Sequence, residues 1–168
     1  MDKRQENNFA FIDSQNLNLG IQEMGWKLDY ARFRRYLKEK YNVNTAYIFI
    51  GYIQQNQALY SSLQKSGYVL IFKPVLPDKE GHHKGNVDAD LVLQAMIDFN
   101  TYEKAVIVTS DGDFYCLVKY LYENNKLRMV LSSHIENCSS LLRQSAKGRI
   151  VFMDNLKKKL EYKRKSTA

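Results

Sequence analysis

Five aspartates stand where a hydrophobic, β-rich run stops or an amphipathic helix starts: Asp13 in FAFIDSQNL, Asp88 and Asp90 in KGNVDADLVLQAM, and Asp111 and Asp113 in VIVTSDGDF. A carboxylate directly after a buried strand is poorly placed for packing and well placed to hold a divalent ion. Carboxylates packed together at neutral pH repel one another unless a cation neutralises them. The chain offers acids but no His or Cys cluster of zinc spacing, so a hard ion with oxygen ligands, Mg²⁺ or Mn²⁺, is the natural candidate. The chemistry such a site best serves is hydrolysis of a phosphodiester: the ion activates a water, orients the scissile phosphate and stabilises the leaving oxygen.

Each acid also has a plainer use. Asp88 and Asp90 open a helix, where the backbone dipole favours negative charge. Positions i and i+2 of a helix face apart, so one of the pair is expected to enter the cluster. Asp88, at the helix start, overhangs the strand ends better, and Asp90 is the reserve. Asp111 suits a turn and Asp113 a helix cap. The coincidence of three acidic sites at one sheet edge favours metal binding over these separate roles.

What must position the acids is an alternation of short strands and helices. Apolar runs rich in β-branched and aromatic residues occur at 8–13, 45–51, 68–73, 105–109, 127–131 and 149–152. Between them the spacing is helical: Phe33, Leu37 and Tyr41 behind a cap at Asp29; Leu59 and Leu63 before a stop at Gly67; Leu91, Val92, Ala95, Met96 and Phe99; then Phe114, Leu117, Val118 and Leu121. This order predicts a three-layer α/β/α sandwich with a mostly parallel central sheet and right-handed crossovers. FAFID, AYIFIG and AVIVTS read as strands buried on both faces. Ligands in such folds bind beyond the C-terminal strand ends, where the strand order reverses. In the order 3-2-1-4-5, strands one and four are neighbours, and Asp13 lies beside Asp111 although the two are far apart in sequence.

Pro74, Pro77, Gly81 and Gly85 mark residues 74–87 as the one long loop, a candidate lid. His82 and His83 within it read as exposed polar residues rather than ligands. Tyr52 and Tyr115, near strand ends, are candidates for stacking unpaired bases, while most of the other tyrosines read as core-edge residues. Trp26 is expected to pack the strand-one loop down.

With 168 residues, 45% hydrophobic and 26% charged, the chain is long enough for one well-buried core and too short for two. One domain is expected over 1–155, followed by a basic tail over 156–168. That tail, LKKKLEYKRKSTA, carries +5 of the formal +7, so the body itself is close to neutral. Cys116 and Cys138 fall in apolar patterns and read as small buried thiols. No apolar stretch approaches the roughly 20 residues of a membrane span, and MDKRQENN leads into a strand without a signal-like core, so a cytoplasmic location without membrane contact is expected.

FIDSQNL, KGNVDADL and SDGDF resemble the strand-one "hDxxNh", "KGxVD" and "S(D/G)xDF" motifs of the NYN family, nucleases of the PIN-like superfamily, and within it the LabA-like group. The three occur in family order and the resemblance covers residues 8–152. It implies a PIN-like fold of strand order 3-2-1-4-5 and a metal-dependent ribonuclease, cutting single-stranded or structured RNA to leave a 5′-phosphate and a 3′-hydroxyl. It further implies Asp13, Asp88, Asp111 and Asp113 as the metal-binding and catalytic set, with Asp90 as a further acid. Asn16 would touch the metal's surroundings or orient substrate, and Lys84 would meet a substrate phosphate as a point charge. Ser14 and Ser110 would be secondary contacts, roles that compete with plain turn hydrogen bonding. Proteins of this superfamily often pair, so a homodimer through an exposed apolar helix face belongs to the expectation. One departure matters: many relatives place another acid one or two turns after the KGxVD aspartate, where this chain has Gln94 and then Asp98. An RNA-binding or regulatory module with little turnover is therefore the competing expectation. A phosphoacceptor receiver fails, because strands three and five read YVLIFKPV and LRMVLSS, without the required aspartate and lysine. A DxDx(T/V) phosphatase fails because DADL follows a glycine-containing loop rather than a first strand.

Overall fold

A computed structural model describes residues 6–74, 76–77, 83–84 and 87–164, with the backbone alone for 76–77 and 83–84. In chain order the elements are β1 (Asn8–Asp13), α1 (Ser14–Glu23), α2 (Tyr30–Tyr41), β2 (Val43–Gly51), α3 (Gln57–Lys65), β3 (Val69–Lys73), β4 (Leu76–Pro77), β5 (His83–Lys84), α4 (Asp88–Ile97), β6 (Ala105–Val108), α5 (Tyr115–Glu123), β7 (Leu127–Ser132), α6 (Ser140–Ala146), β8 (Ile150–Phe152) and α7 (Lys157–Leu160). The main sheet has the order β3-β2-β1-β6-β7-β8 and every pairing in it is parallel. The predicted sandwich and strand order hold, and the sixth apolar run, at 149–152, takes its place as β8 beside β7.

The side-chain alternation of the strands builds two cores, one on each face. Ala10 and Ile12 of β1, with Val106 and Val108 of β6, meet Leu17 and Ile21 of α1 and Phe33 and Leu37 of α2. Phe11 and Ile107 face the other way, against Leu91 and Ala95 of α4 and Phe114, Leu117 and Val118 in and before α5. β1 is buried along its whole length, and its start is fixed by Asn8, fully buried, which donates to the Tyr41 carbonyl at 2.7 Å and accepts from the Lys104 N–H at 3.0 Å. The helices of the first half lie on one face and α4, α5 and α6 on the other, so the chain changes direction across the sheet between β1 and β6. At that switch Ile12 is in register with Val108, which sets Asp13 opposite Thr109.

Four expectations change. The stretch after β1 is a helix, not a loop: Asp13 accepts the Asn16 N–H at 3.2 Å and caps α1. Packing also continues past residue 155. Leu160 is fully buried, the Asp29 N–H donates to its carbonyl, and Leu28 bridges to Glu161, so the first part of the basic segment packs with the domain. The long loop contains a short antiparallel pair, Leu76 with Lys84 and Pro77 with His83. Finally, Cys138 is buried but sits in the turn before α6, while Cys116 on α5 is exposed. Trp26 is buried, as expected. Among the described residues no helix is long and apolar enough to cross a membrane.

Candidate metal and nucleic-acid site

The C-terminal ends of β1 and β6 carry a network that fixes the acids before any ligand arrives. Asp13 ends β1 and is buried; one carboxylate oxygen caps α1 and the other accepts from the Thr109 hydroxyl at 3.4 Å. The same Thr109 oxygen accepts the Asp111 N–H at 3.2 Å, so one buried hydroxyl ties Asp13 to the turn that presents Asp111. Asp111 in turn caps the short helical turn Gly112–Phe114 by accepting the Asp113 N–H at 2.9 Å.

Asn16 closes the network from the helix side: its side-chain oxygen accepts the Ser110 N–H at 2.8 Å. The Ser110 hydroxyl bonds to those of Ser132 and Ser133, at 2.8 and 2.9 Å, at the end of β7. α1 has to lie close for this to happen. A Cβ at Gly20 would stand 2.1 Å from the Ser133 hydroxyl oxygen, so only glycine allows the helix this approach. Replacing Asn16 by Ala leaves the buried Ser110 N–H without its acceptor and is expected to cost about 1–2 kcal/mol of stability, read as a lower urea midpoint at unchanged m-value. An unchanged midpoint would show the bond to be incidental.

Asp88 enters from the first residue of α4, and its carboxylate converges with those of Asp111 and Asp113: one ligand oxygen from each lies within 4.8 Å of the others. Ligand oxygens on one octahedral Mg²⁺ are at most about 4.2 Å apart, so a small side-chain adjustment closes the three around an ion. The donor set fits the expected hard cation. Asp13, expected among the ligands, is not one of these converging three, though the Asp88 and Asp111 charges act on it. Burial, opposed by the Asn16 and Thr109 hydrogen bonds and reinforced by the Asp88 and Asp111 charges, raises its carboxyl to about 6.

Asp90, two residues on, turns away to Lys73, 4.0 Å from the ammonium. Asp90→Ala is therefore expected to change Mn²⁺ affinity by less than about threefold in a calorimetric titration, the effect of losing one exposed charge pair. A tenfold loss would put Asp90 back among the ligands. Gln94 donates to Asp98 at 2.8 Å, so these two side chains engage one another.

Ser14 is buried and hydrogen-bonded to Tyr30, and Ser110 is taken up by the serine cluster, so both are occupied within the fold. Tyr52 and Tyr115 are exposed, and Tyr52 packs against Tyr60 and Phe72. The β5 backbone places Lys84 opposite Leu76; its side chain and His82 lie outside the described residues. Sequence reasoning passed over Thr109, the hydroxyl joining the two strand ends. Its only signal is a hydroxyl-bearing residue at the last position of a buried strand, and in VIVTS that reads first as β propensity.

A family model described as "NYN domain" matches residues 9–154. No curated protein matches the chain at a significant level. Among solved structures, a protein of unknown function from Vibrio parahaemolyticus RIMD 2210633 is similar, with a TM-score of 0.80 at 20% identity, over 96% of this chain and 100% of that one. At that identity the likeness speaks to the fold alone.

Proposed function

The chain belongs to the NYN domain family, a family of PIN-like nucleases, and from that premise we propose that it is a metal-dependent ribonuclease. The observation that carries the reading is the convergence of Asp88, Asp111 and Asp113 at the switch point of a parallel sheet. These three would hold Mg²⁺ or Mn²⁺. Such an ion, when bound, supplies Lewis-acid activation of water and neutralises charge on the phosphodiester. Asp13, whose carboxyl is raised by burial in the metal-free protein, would add negative charge beside the ligands when ionised, and through Thr109 it holds the Asp111 turn in place. Asn16 keeps the turn's backbone aligned with α1.

The test is cleavage of a 5′-labelled RNA by purified protein. Mn²⁺ is expected to give products ending in a 3′-hydroxyl and a 5′-phosphate, and EDTA to stop the reaction. Cleavage that persists unchanged in EDTA would end the metal-dependent reading. A second reading, an RNA-binding module with little turnover, is favoured by one observation: the helix turn after Asp88 carries Gln94, bonded to Asp98, where relatives often have an acid. Mn²⁺ binding with RNA binding but no cleavage would select it.

A further inference from the structure

Beside the acids, at the C-terminal ends of β1 and β2, lies a cavity of about 500 Å³. That is within the roughly 300–1,000 Å³ of small-ligand sites. Two of its lining residues adjoin the acids in the chain: Ser14 follows Asp13 and Val87 precedes Asp88. Phe49 and Leu63, almost fully buried, back its wall, and Gln15 and Asn18 line it from α1, the Asn18 side-chain oxygen accepting from Gln22 at 3.5 Å.

Folding alone does not account for this wall. Ile53 and Leu59 are each 41% exposed where they line the cavity, although the spacing of α3 marks Leu59 as a core position. Lys27, an exposed residue at the rim, stands with its ammonium 5.1 Å from the Tyr162 ring centre, from where it can swing to the same space. Apolar walls suit the faces of a nucleobase. Carboxamides offer donor and acceptor together and suit its edge. A lysine suits the adjoining phosphate.

Resting on the ribonuclease reading, we propose that this cavity receives one unpaired base of the RNA, from the nucleotide adjoining the phosphate at the acids. The site thereby acts on single strands. A base inside an A-form helix cannot enter a cavity without leaving its pair and its stack.

The test uses the full chain, a fluorescein-labelled RNA decamer, and anisotropy with Ca²⁺ in place of Mn²⁺, alongside Mn²⁺ cleavage kinetics. Leu59→Trp fills the cavity from an exposed position, and Asn18→Ala removes one carboxamide. Leu59→Trp is expected to weaken binding about tenfold, the scale of losing one stacked base, with the kinetic loss in KM rather than kcat. Asn18→Ala is expected to weaken it about threefold, the scale of one exposed hydrogen bond. Removing the base at one position beside the scissile bond should weaken wild type about tenfold and Leu59→Trp no further. Annealing the decamer to its complement should weaken wild-type binding by at least about the same factor.

Equal affinities for folded wild type and Leu59→Trp, or equal affinities for single strand and duplex, would overturn the proposal, as would no binding by wild type. If Leu59→Trp fails to fold by circular dichroism, Asn18→Ala and the abasic strand decide alone. Binding that follows the expected pattern without cleavage would refute the hydrolase and leave the base pocket standing. Cleavage with an unchanged KM in Leu59→Trp would do the reverse.

Discussion

Asp111→Asn is expected to lower Mn²⁺-dependent RNA cleavage on the order of 10³-fold while leaving the domain folded, a kinetic loss equivalent to about 4 kcal/mol. The fold survives because asparagine keeps what Asp111 does for the backbone. Its side-chain oxygen can still accept the Asp113 N–H, now 2.9 Å away, and its own N–H still donates to Thr109. What it cannot keep is the charge. Asp111 has a ligand oxygen within 4.8 Å of those of Asp88 and Asp113 and is electrostatically coupled to Asp13. Its neutralisation leaves two close carboxylates, one of them exposed, to hold a divalent ion against water. Single-turnover cleavage and calorimetric Mn²⁺ titration measure the two losses, and a urea transition close to that of wild type shows they are local. Cleavage within tenfold of wild type would mean the metal sits elsewhere.

The acids were legible because their positions follow from a pattern sequence displays well. FAFID and AVIV are apolar at consecutive positions, as strands covered on both faces must be, and both prove buried throughout. Once those strands are neighbours, Asp13 and Asp111 are brought together by topology alone. Asp88 and Asp90 were separable by helix geometry, and the structure turns one to the acids and the other to Lys73. Two of the misses share a cause. α1 reads SNQ-rich with an interior glycine, a poor helix by propensity, and it is held by the Asp13 cap and by Gly20 lying against Ser133. KKKL reads as a solvated charge run, and it is Leu160 packing beside Leu28 that makes it part of the domain. Leu59 has a core residue's spacing and lines a cavity instead. Gly20 against Ser133 and Leu160 beside Leu28 are contacts distant in sequence, and periodicity carries no record of them.

Asp13→Asn should make the metal-free protein more stable at neutral pH while removing its activity. Burial raises the Asp13 carboxyl from 3.8 to about 6, with the Asp88 and Asp111 charges adding to the shift. A carboxyl whose pKa is higher in the folded state than in the unfolded one binds its proton more tightly when folded. Its contribution is therefore fully present below about pH 4 and is lost as pH rises through about 6, the folded value. Above that, an ionised carboxylate is held in a desolvated position beside two others. A shift of this size corresponds to about 3 kcal/mol at pH 8. Asparagine carries no charge and still accepts the Asn16 N–H that caps α1. In EDTA the variant is expected to melt roughly 5–10 °C above wild type at pH 8, with the gap closing towards pH 4. Mn²⁺ should narrow the gap at pH 8 by stabilising wild type more than the variant. A variant that melts lower than wild type at pH 8, or a gap that ignores pH, would show that Asp13 bears no ionisation cost. A rise in stability coupled to a loss of cleavage would instead mark Asp13 as a residue held at the fold's expense for the reaction, since a merely structural carboxylate would lose both together.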